Sequence, residues 1–307
     1  MKTEWRINHR EAGLPLLEAL ALRVPAAPRA FLRQLCKKQR VAVDDCIAEA
    51  DQRVRSGAIV TVKASPRWLE CLAQSCLAPE LVIYEDVQCM IINKPAGLAV
   101  HRAPGHDDNL LQRIQDFLRL RGETFQVAPV HRLDIGTSGA VLFGKGRASI
   151  SQLGRMIMAG QATKCYLALV GADITSSGAL TSPVPAKGSH KTALTRFRPV
   201  ASANGQTLLE LELVTGRHHQ IRHQLATAGW PILGDKRYRG VAIAGMDRPF
   251  LHCHRLAFPH PATGDDLAIE CPLPLELERH LQTLGLAREF IQRLKGQKPA
   301  TCRQMPL

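Results

Sequence analysis

His131-Arg132-Leu133-Asp134-Ile135-Gly136-Thr137-Ser138-Gly139 sets one carboxylate between a basic dipeptide and a turn-forming Thr-Ser-Gly. The segment before it, Phe125-Gln126-Val127-Ala128-Pro129-Val130, reads as a strand, and Ala140-Val141-Leu142-Phe143 as another, so the polar cluster falls on a strand-to-strand turn. Loops held between rigid strands are where catalytic groups concentrate, which makes Asp134 the first candidate for chemistry. Taken alone, an Asp ahead of Gly, Thr and Ser is better explained by bonds to its own turn amides. The rest of the chain has to decide between the two.

The chain has 307 residues, enough for one large domain with a sizeable core plus a small one. It carries 40 Lys and Arg against 27 Asp and Glu, a net charge of +13, which favours a polyanionic partner without separating RNA from DNA or acidic lipid. The start, Met1-Lys2-Thr3-Glu4-Trp5-Arg6, has no apolar signal core. No window reaches the roughly eighteen uninterrupted apolar residues of a membrane span, so a soluble cytoplasmic protein is expected. Nine cysteines without a Cys-x-x-Cys pair fit reduced, mostly buried thiols rather than a disulfide framework or zinc site. His219 and His223 have the spacing of a helical metal pair, but Arg217 and Arg222 sit among them and no nearby carboxylate or Cys completes a ligand set. No metal and no cofactor are expected.

The first part of the chain is the more basic, with 13 basic and 7 acidic residues between Lys2 and Arg67. Arg29, Arg33 and Lys37 recur every four residues, followed by Lys38, while Phe31, Leu32 and Leu35 supply apolar positions. That pattern predicts an amphipathic helix with a basic face, which is equally a solvated surface or an RNA contact. Arg40-Val41-Ala42-Val43-Asp44-Asp45 then alternates into a turn, and Val54 to Val62 reads as a second short strand.

Further on, Leu81 to Asp86 and Cys89 to Asn93 read as two buried strands before the turn Lys94-Pro95-Ala96-Gly97. Asp108 is placed to cap a helix running to about Leu120, with Leu110, Leu111, Ile114, Phe117 and Leu118 as its core stripe. A helix over about Ala148 to Met158 precedes the strand Thr163-Lys164-Cys165-Tyr166-Leu167-Ala168-Leu169-Val170-Gly171. A tyrosine in such a strand is by itself packing. Leu209, Leu211 and Leu213 alternate with Glu210 and Glu212, and Gly216 marks a corner into a helix that Gly229-Trp230-Pro231 ends. Arg217 beside that helix start makes an anion site, with His219 and Arg222 projecting on one side.

Together these blocks resemble the RluA-type pseudouridine synthases. Four carry the likeness: the His-Arg-Leu-Asp-x-x-Thr-Ser-Gly stretch with Lys145 after its strand, the Asn93-Lys94-Pro95-x-Gly97 turn, the Lys164-x-Tyr166-x-Ala168 strand, and Gly216-Arg217-His218-His219-Gln220-Ile221-Arg222, with His218 in place of the usual Thr. Leu251 to Phe258 and Cys271-Pro272 resemble the family's closing hairpin, so the likeness spans most of residues 80 to 275. The segment through Val62 resembles, in part, the small ribosomal-protein-S-four-like RNA-binding module that many such enzymes carry.

The resemblance implies an α+β fold: a catalytic domain on a mixed, mainly antiparallel β-sheet flanked by helices and loops, plus a small N-terminal α/β RNA-binding module. The organisation expected is a module over 1–68, a linker over 69–79, a catalytic domain over 80–285 and a basic tail over 286–307. It also implies isomerisation of uridine in structured RNA, ribosomal RNA being favoured and transfer RNA the alternative, with no obligate protein partner and no membrane. Asp134 would be the nucleophile, Arg222 its counter-ion, and Tyr166 the face on which the uracil stacks and a candidate general base. Arg29, Arg33, Lys37, Lys38, Arg132, Arg217 and His219 would bind the RNA. A carboxylate route needs no redox change, and the target base has to leave its helix to reach it. Two other classes stay open: a catalytically silent RNA-binding protein, in which Asp134, Tyr166 and Arg222 would be dispensable, and a hydrolase, which would need a second carboxylate.

Overall fold

A strand buried on both faces shows as a continuous apolar run, and Ala140-Val141-Leu142-Phe143 is one such run with no exposed surface. It lies in the strand β8 (Ser138–Lys145), all eight residues of which are buried. In the computed structural model the described residues are 2–7, 11–24, 27–63, 65–68, 81–104, 108–186 and 189–286. The expected linker and the tail cations Arg288, Arg293, Lys295 and Lys298 lie outside them. Among the described residues no helix is long and apolar enough to cross a membrane.

The chain gathers into two compact units, drawn from the described residues of Met1–Val82 with Gln112–Phe125, and of Ile83–Leu111 with Gln126–Leu307. The first unit holds a sheet of β1 (Lys2–Arg6), β4 (Ile59–Lys63), β2 (Val41–Val43) and β3 (Cys46–Ile47), in that spatial order. Helices α1 (Leu16–Arg23) and α2 (Arg29–Lys37) bury Leu16, Leu20, Leu32 and Leu35 in a core with Val41, Val60, Val62 and Trp68. The alternation read over residues 40 to 45 becomes a hairpin, since Val43 pairs with Cys46 and the two residues between, Asp44 and Asp45, have φ of 49° and 62°. Two positive φ values are what a type I′ turn demands. Strand β1 and helix α1 have no counterpart in the sequence reading. The helix α3 (Leu110–Leu120) begins two residues after Asp108, and its Leu110, Ile114, Phe117 and Leu118 are buried as expected.

The second unit is a ten-stranded sheet with the main order β10 (Gly178–Ala186), β11 (Ser189–Ala203), β12 (Gln206–Leu213), β9 (Thr163–Val170), β13 (Leu251–Pro259), β8, β6 (Cys89–Lys94) and β5 (Val82–Glu85). Strand β14 (Asp266–Glu270) pairs with β13, and β7 (Val127–Pro129) with β8. Helices α4 (Arg147–Met158), α5 (Gln220–Thr227) and α6 (Leu275–Thr283) complete it. Strand β8 pairs with β13 in parallel, while the pairs β6–β8, β7–β8, β9–β13, β9–β12, β11–β12, β10–β11 and β13–β14 are antiparallel, so the α+β, mainly antiparallel class stands. In β12 the alternating Glu210 and Glu212 do not face water: both are buried, Glu210 against Arg198 and His254 and Glu212 against Arg196.

The parallel contact is short, Ser138 opposite His252 and Gly139 opposite Cys253, and very close. Gly139 has φ +119°, and a Cβ there would lie 2.3 Å from the Cys253 carbonyl oxygen. Both the conformation and the approach require glycine. Gly139→Ala is therefore expected to destabilise the fold by about 3 kcal/mol, from backbone strain plus overpacking. The shift in the urea unfolding midpoint checks it.

Candidate active site

Asp134 sits on the loop between β7 and β8, and the loop is held at both ends. Val127 to Pro129 pair with Phe143 to Lys145, and Val130 extends the ladder by donating to the Leu142 carbonyl at 3.0 Å. The Leu142 amide then donates to His131 Nε2 at 3.1 Å, so an imidazole stands where the next backbone acceptor would be. Burial, aided by the charge of Lys164, pushes His131 down to about 3, which keeps it neutral and able to accept.

Beyond Asp134 the chain turns at once, the Thr137 amide donating to the Asp134 carbonyl at 3.1 Å. The next carbonyl, that of Ile135, receives the Gly97 amide at 2.8 Å and Lys94 Nζ at 3.2 Å. Lys94 is fully buried and also donates to the carbonyls of Pro95 and Leu98. Burial and the Arg248 charge push its amine down to about 7, against the pull of Asp134. The Lys94-Pro95-Ala96-Gly97 turn read at the end of β6 thus clamps the peptide after the carboxylate. Lys145 does its work elsewhere, pairing with Glu85 at 2.9 Å and donating to the Asp86 carbonyl at 2.8 Å.

Arg222 reaches Asp134 from α5. The start of α5 is pinned by Gln220, which accepts from the Thr215 hydroxyl and the Arg217 amide and donates to the Leu194 carbonyl and the Thr195 hydroxyl. His219 precedes the helix with φ 54°, left-handed and therefore strained for a residue with a Cβ. That conformation lays its ring between Arg222 Nη1, 3.1 Å from Nε2, and the Tyr238 hydroxyl, 3.2 Å from Nδ1. Burial, with Arg222 and His218 reinforcing it against Asp134, pushes His219 down to about 4.

Arg222 Nη1 and His219 Nε2 each lie 3.6 Å from Asp134 Oδ2. The guanidinium's parallel fork faces the other way: Nε and Nη2 donate to the two oxygens of Asp235 at 2.6 and 2.8 Å. Asp235 has no exposed surface. The expected Arg222 to Asp134 pairing is present, but Arg222 serves two carboxylates, and its hydrogen bonds go to the second. Asp235 carries no local signal in the sequence, since it meets Arg222 only in the fold.

Tyr166 faces the same cavity from β9, with Lys164 two residues away on the same face of the strand. The Tyr166 hydroxyl donates to the Cys253 sulfur, and burial raises its phenol well above 10. Burial thus favours the protonated form of the phenol. The cavity, about 660 Å³, is lined by Asp134, Tyr166 and Arg222 together with His131, Lys164 and Thr137. That volume suits a flipped nucleoside.

The remaining expected residues are spread more widely. Arg132 and Arg217 are exposed at the same cavity. Arg29, Arg33, Lys37 and Lys38 are exposed on or just after α2 in the first unit. The fold does supply the carboxylate that the histidine cluster lacked in sequence: ligand atoms of Asp134, His218 and His219 lie within 4.8 Å of one another. Yet His219 Nε2 already accepts from Arg222, and a guanidinium at that distance repels a cation.

The clamp makes a specific expectation. Lys94→Met removes one donor from each of three carbonyls, of which that of Ile135 keeps the Gly97 amide, and is expected to destabilise by about 3 kcal/mol. A larger fractional loss of turnover than of folded protein, measured side by side, would mark the freed Ile135 peptide as the cause.

A family model described as RNA pseudouridylate synthase matches residues 88–227, a span that includes Asp134, Tyr166 and Arg222. Ribosomal large subunit pseudouridine synthase D of Nitrosomonas europaea is 30% identical over 292 residues, covering 89% of this chain and 85% of that protein. Ribosomal large subunit pseudouridine synthase C of Escherichia coli K12 is 30% identical over 312 residues, covering 92% and 96%. An uncharacterized RNA pseudouridine synthase of Bacillus subtilis, YhcT, is 35% identical over 216 residues, covering 66% and 71%. Among solved structures, human RNA pseudouridylate synthase domain containing 4 superposes with a TM-score of 0.58 at 21% identity, covering 67% of this chain and 93% of that one, a likeness of fold.

Proposed function

Because the chain belongs to the RluA-type RNA pseudouridylate synthases, and is an isomerase of RNA uridine, we propose that it acts on ribosomal RNA of the large subunit with Asp134 as its nucleophile. The observation that carries the reading is the meeting of Asp134, Arg222 and Tyr166, from a hairpin loop, a helix and a central strand, in one cavity of nucleoside size. Relatives whose names state the large ribosomal subunit support the choice of RNA.

The reaction breaks the uracil-to-ribose bond, rotates the base and rejoins it through carbon 5, with no redox change. An ionised Asp134, held toward the cavity by the pinned Ile135 peptide, serves as nucleophile. Arg222 supplies a fixed opposite charge 3.6 Å from the carboxylate oxygen. Tyr166 supplies an apolar face for the flipped base, and the dry walls of the cavity keep water from the detached intermediate. Arg132 and Arg217, exposed beside the cavity, take backbone phosphates, as do Arg29, Arg33, Lys37 and Lys38 on the first unit, read as the ribosomal-protein-S-four-like module. His219, with both ring nitrogens engaged inside the protein, holds Arg222 and leaves phosphate contact to its neighbours.

Asp134→Asn is expected to abolish tritium release from RNA labelled at uridine carbon 5 while leaving RNA affinity within about tenfold, roughly 1.4 kcal/mol. Persistent turnover would sink the nucleophile assignment, and release of free uracil by the unaltered enzyme would make it a hydrolase. Mapping pseudouridines in cells lacking the gene tests the RNA: a site lost from transfer RNA alone would overturn the ribosomal assignment. For the basic face of α2, the double substitution Arg33→Ala, Lys37→Ala is expected to lower the salt slope of RNA binding by about 2, near 1 per phosphate contact. Its rate at saturating enzyme should be unchanged.

A further inference from the structure

Resting on Asp134 as the nucleophile, we propose that Asp235 is a positioning residue of the reaction: it holds Arg222 as a standing counter-ion, so that Asp134 can give up its negative charge without leaving a buried guanidinium unpaired.

The geometry is unequal in a telling way. A guanidinium pairs most strongly with a carboxylate through its fork, two parallel N–H bonds at once. Arg222 gives that fork to Asp235, at 2.6 and 2.8 Å, and offers Asp134 only Nη1 at 3.6 Å, beyond hydrogen-bond length. Were its sole task to keep Asp134 ionised, the fork would lie on Asp134. Asp235 is also placed independently of Arg222. Gly234 before it has φ +79° and backs onto the Arg248 carbonyl, where a Cβ would come within 2.2 Å. The Asp235 amide donates to the Ile232 carbonyl at 3.1 Å, and its Oδ1 accepts from the Tyr238 amide at 3.3 Å. The Tyr238 ring lies against the guanidinium, 5.2 Å from centroid to Cζ. The carboxylate is therefore set by a turn, ready to receive a cation.

The chemistry makes such a partner useful on every route open to Asp134. If an Asp134 oxygen bonds to the anomeric carbon, the pair of the bond to N1 leaves with uracil, and the negative charge moves to the detached base. Addition to carbon 6 of the ring pushes the electron pair of the C5–C6 double bond onto the carbonyl oxygen at carbon 4, as an enolate. On a glycal route Asp134 takes up the proton from ribose carbon 2, and the departing base again carries the charge. In each case Asp134 becomes neutral while Arg222 stays cationic, with its side chain only 10% exposed. A buried cation stripped of its partner is strongly unfavourable, and Asp235 keeps it paired throughout.

The test compares single-turnover tritium release at saturating enzyme across pH. Asp235→Asn is expected to slow the step at least about tenfold with RNA affinity changed less than about threefold, a loss confined to the reacting state. It is also expected to change the shape of the profile and not only its height, since Arg222 released from Asp235 then turns wholly to Asp134. The other groups facing Asp134, namely His219, His218, Lys94 and Tyr166, are the same in both proteins. A merely structural defect would scale the rate equally at all pH, and that outcome, or an unchanged rate, overturns the proposal.

Should the single variant fail to fold, Arg222→Gln, Asp235→Asn removes both charges of the buried pair. Compared with Arg222→Gln alone over long incubation, it should be no slower than about threefold, because Asp235 acts only through Arg222. Losses that multiply would show an independent role and overturn it. An active Asp134→Asn would refute the nucleophile reading whatever Asp235 does; an inactive one beside a full-rate Asp235→Asn would refute the counter-ion role alone.

Discussion

A guanidinium removed from water has to be matched by anionic charge, and the catalytic unit is organised around the matching of Arg222. Its fork is closed by Asp235, its third nitrogen is shared between His219 and Asp134, and its flat face lies on Tyr238. The partners come from three stretches: the 3-10 turn at Lys236–Tyr238 with Asp235 at its start, the left-handed residue before α5, and a hairpin loop. The strained φ of His219 and the glycine-only approach at Gly234 make sense as local costs offset by one satisfied cation.

The sheet supplies the stiffness that such a site needs. Strand β8 is buried along its whole length, and β6 and β13 flank it. Loop residues attached to a strand of this kind inherit its rigidity at one end, and here the other end is fixed by the His131 ring and by Lys94. Burial disfavours the charged form of basic groups around the site, pushing His131 down to about 3, His219 to about 4 and Lys94 to about 7. Arg222 is then the cation that faces Asp134 most directly, so the carboxylate's charge answers to one partner rather than to a diffuse field.

The surface is arranged by the opposite logic. Arg132 and Arg217 stay exposed at the cavity, and Arg29, Arg33, Lys37 and Lys38 stay exposed in the first unit, where the apolar positions of α2 turn inward. Cations in water cost little to keep and attract a polyanion over a distance set by ionic strength. On the proposed function, internal charge would serve the bond-breaking step and external charge the holding of RNA.

The sequence by itself determined the elements whose signals are local. The apolar run 140–143, the strand around Tyr166, the basic helix at Arg29 and the turn at Asp44-Asp45 all appear where periodicity and turn residues put them, because the forces that form them act within a few residues. The motif around Asp134 falls on the strand-to-strand loop it was read as, and its likeness to a known family identified the reaction class. Only the tertiary structure decided which groups meet. Asp235 was invisible as a partner of Arg222; the Lys94 turn read as ordinary punctuation until its amine proved to hold the peptide after Asp134; Glu210 and Glu212 alternate like a wet face and are buried among arginines and a histidine. Burial and charge pairing join residues far apart in the chain, and no local pattern records them.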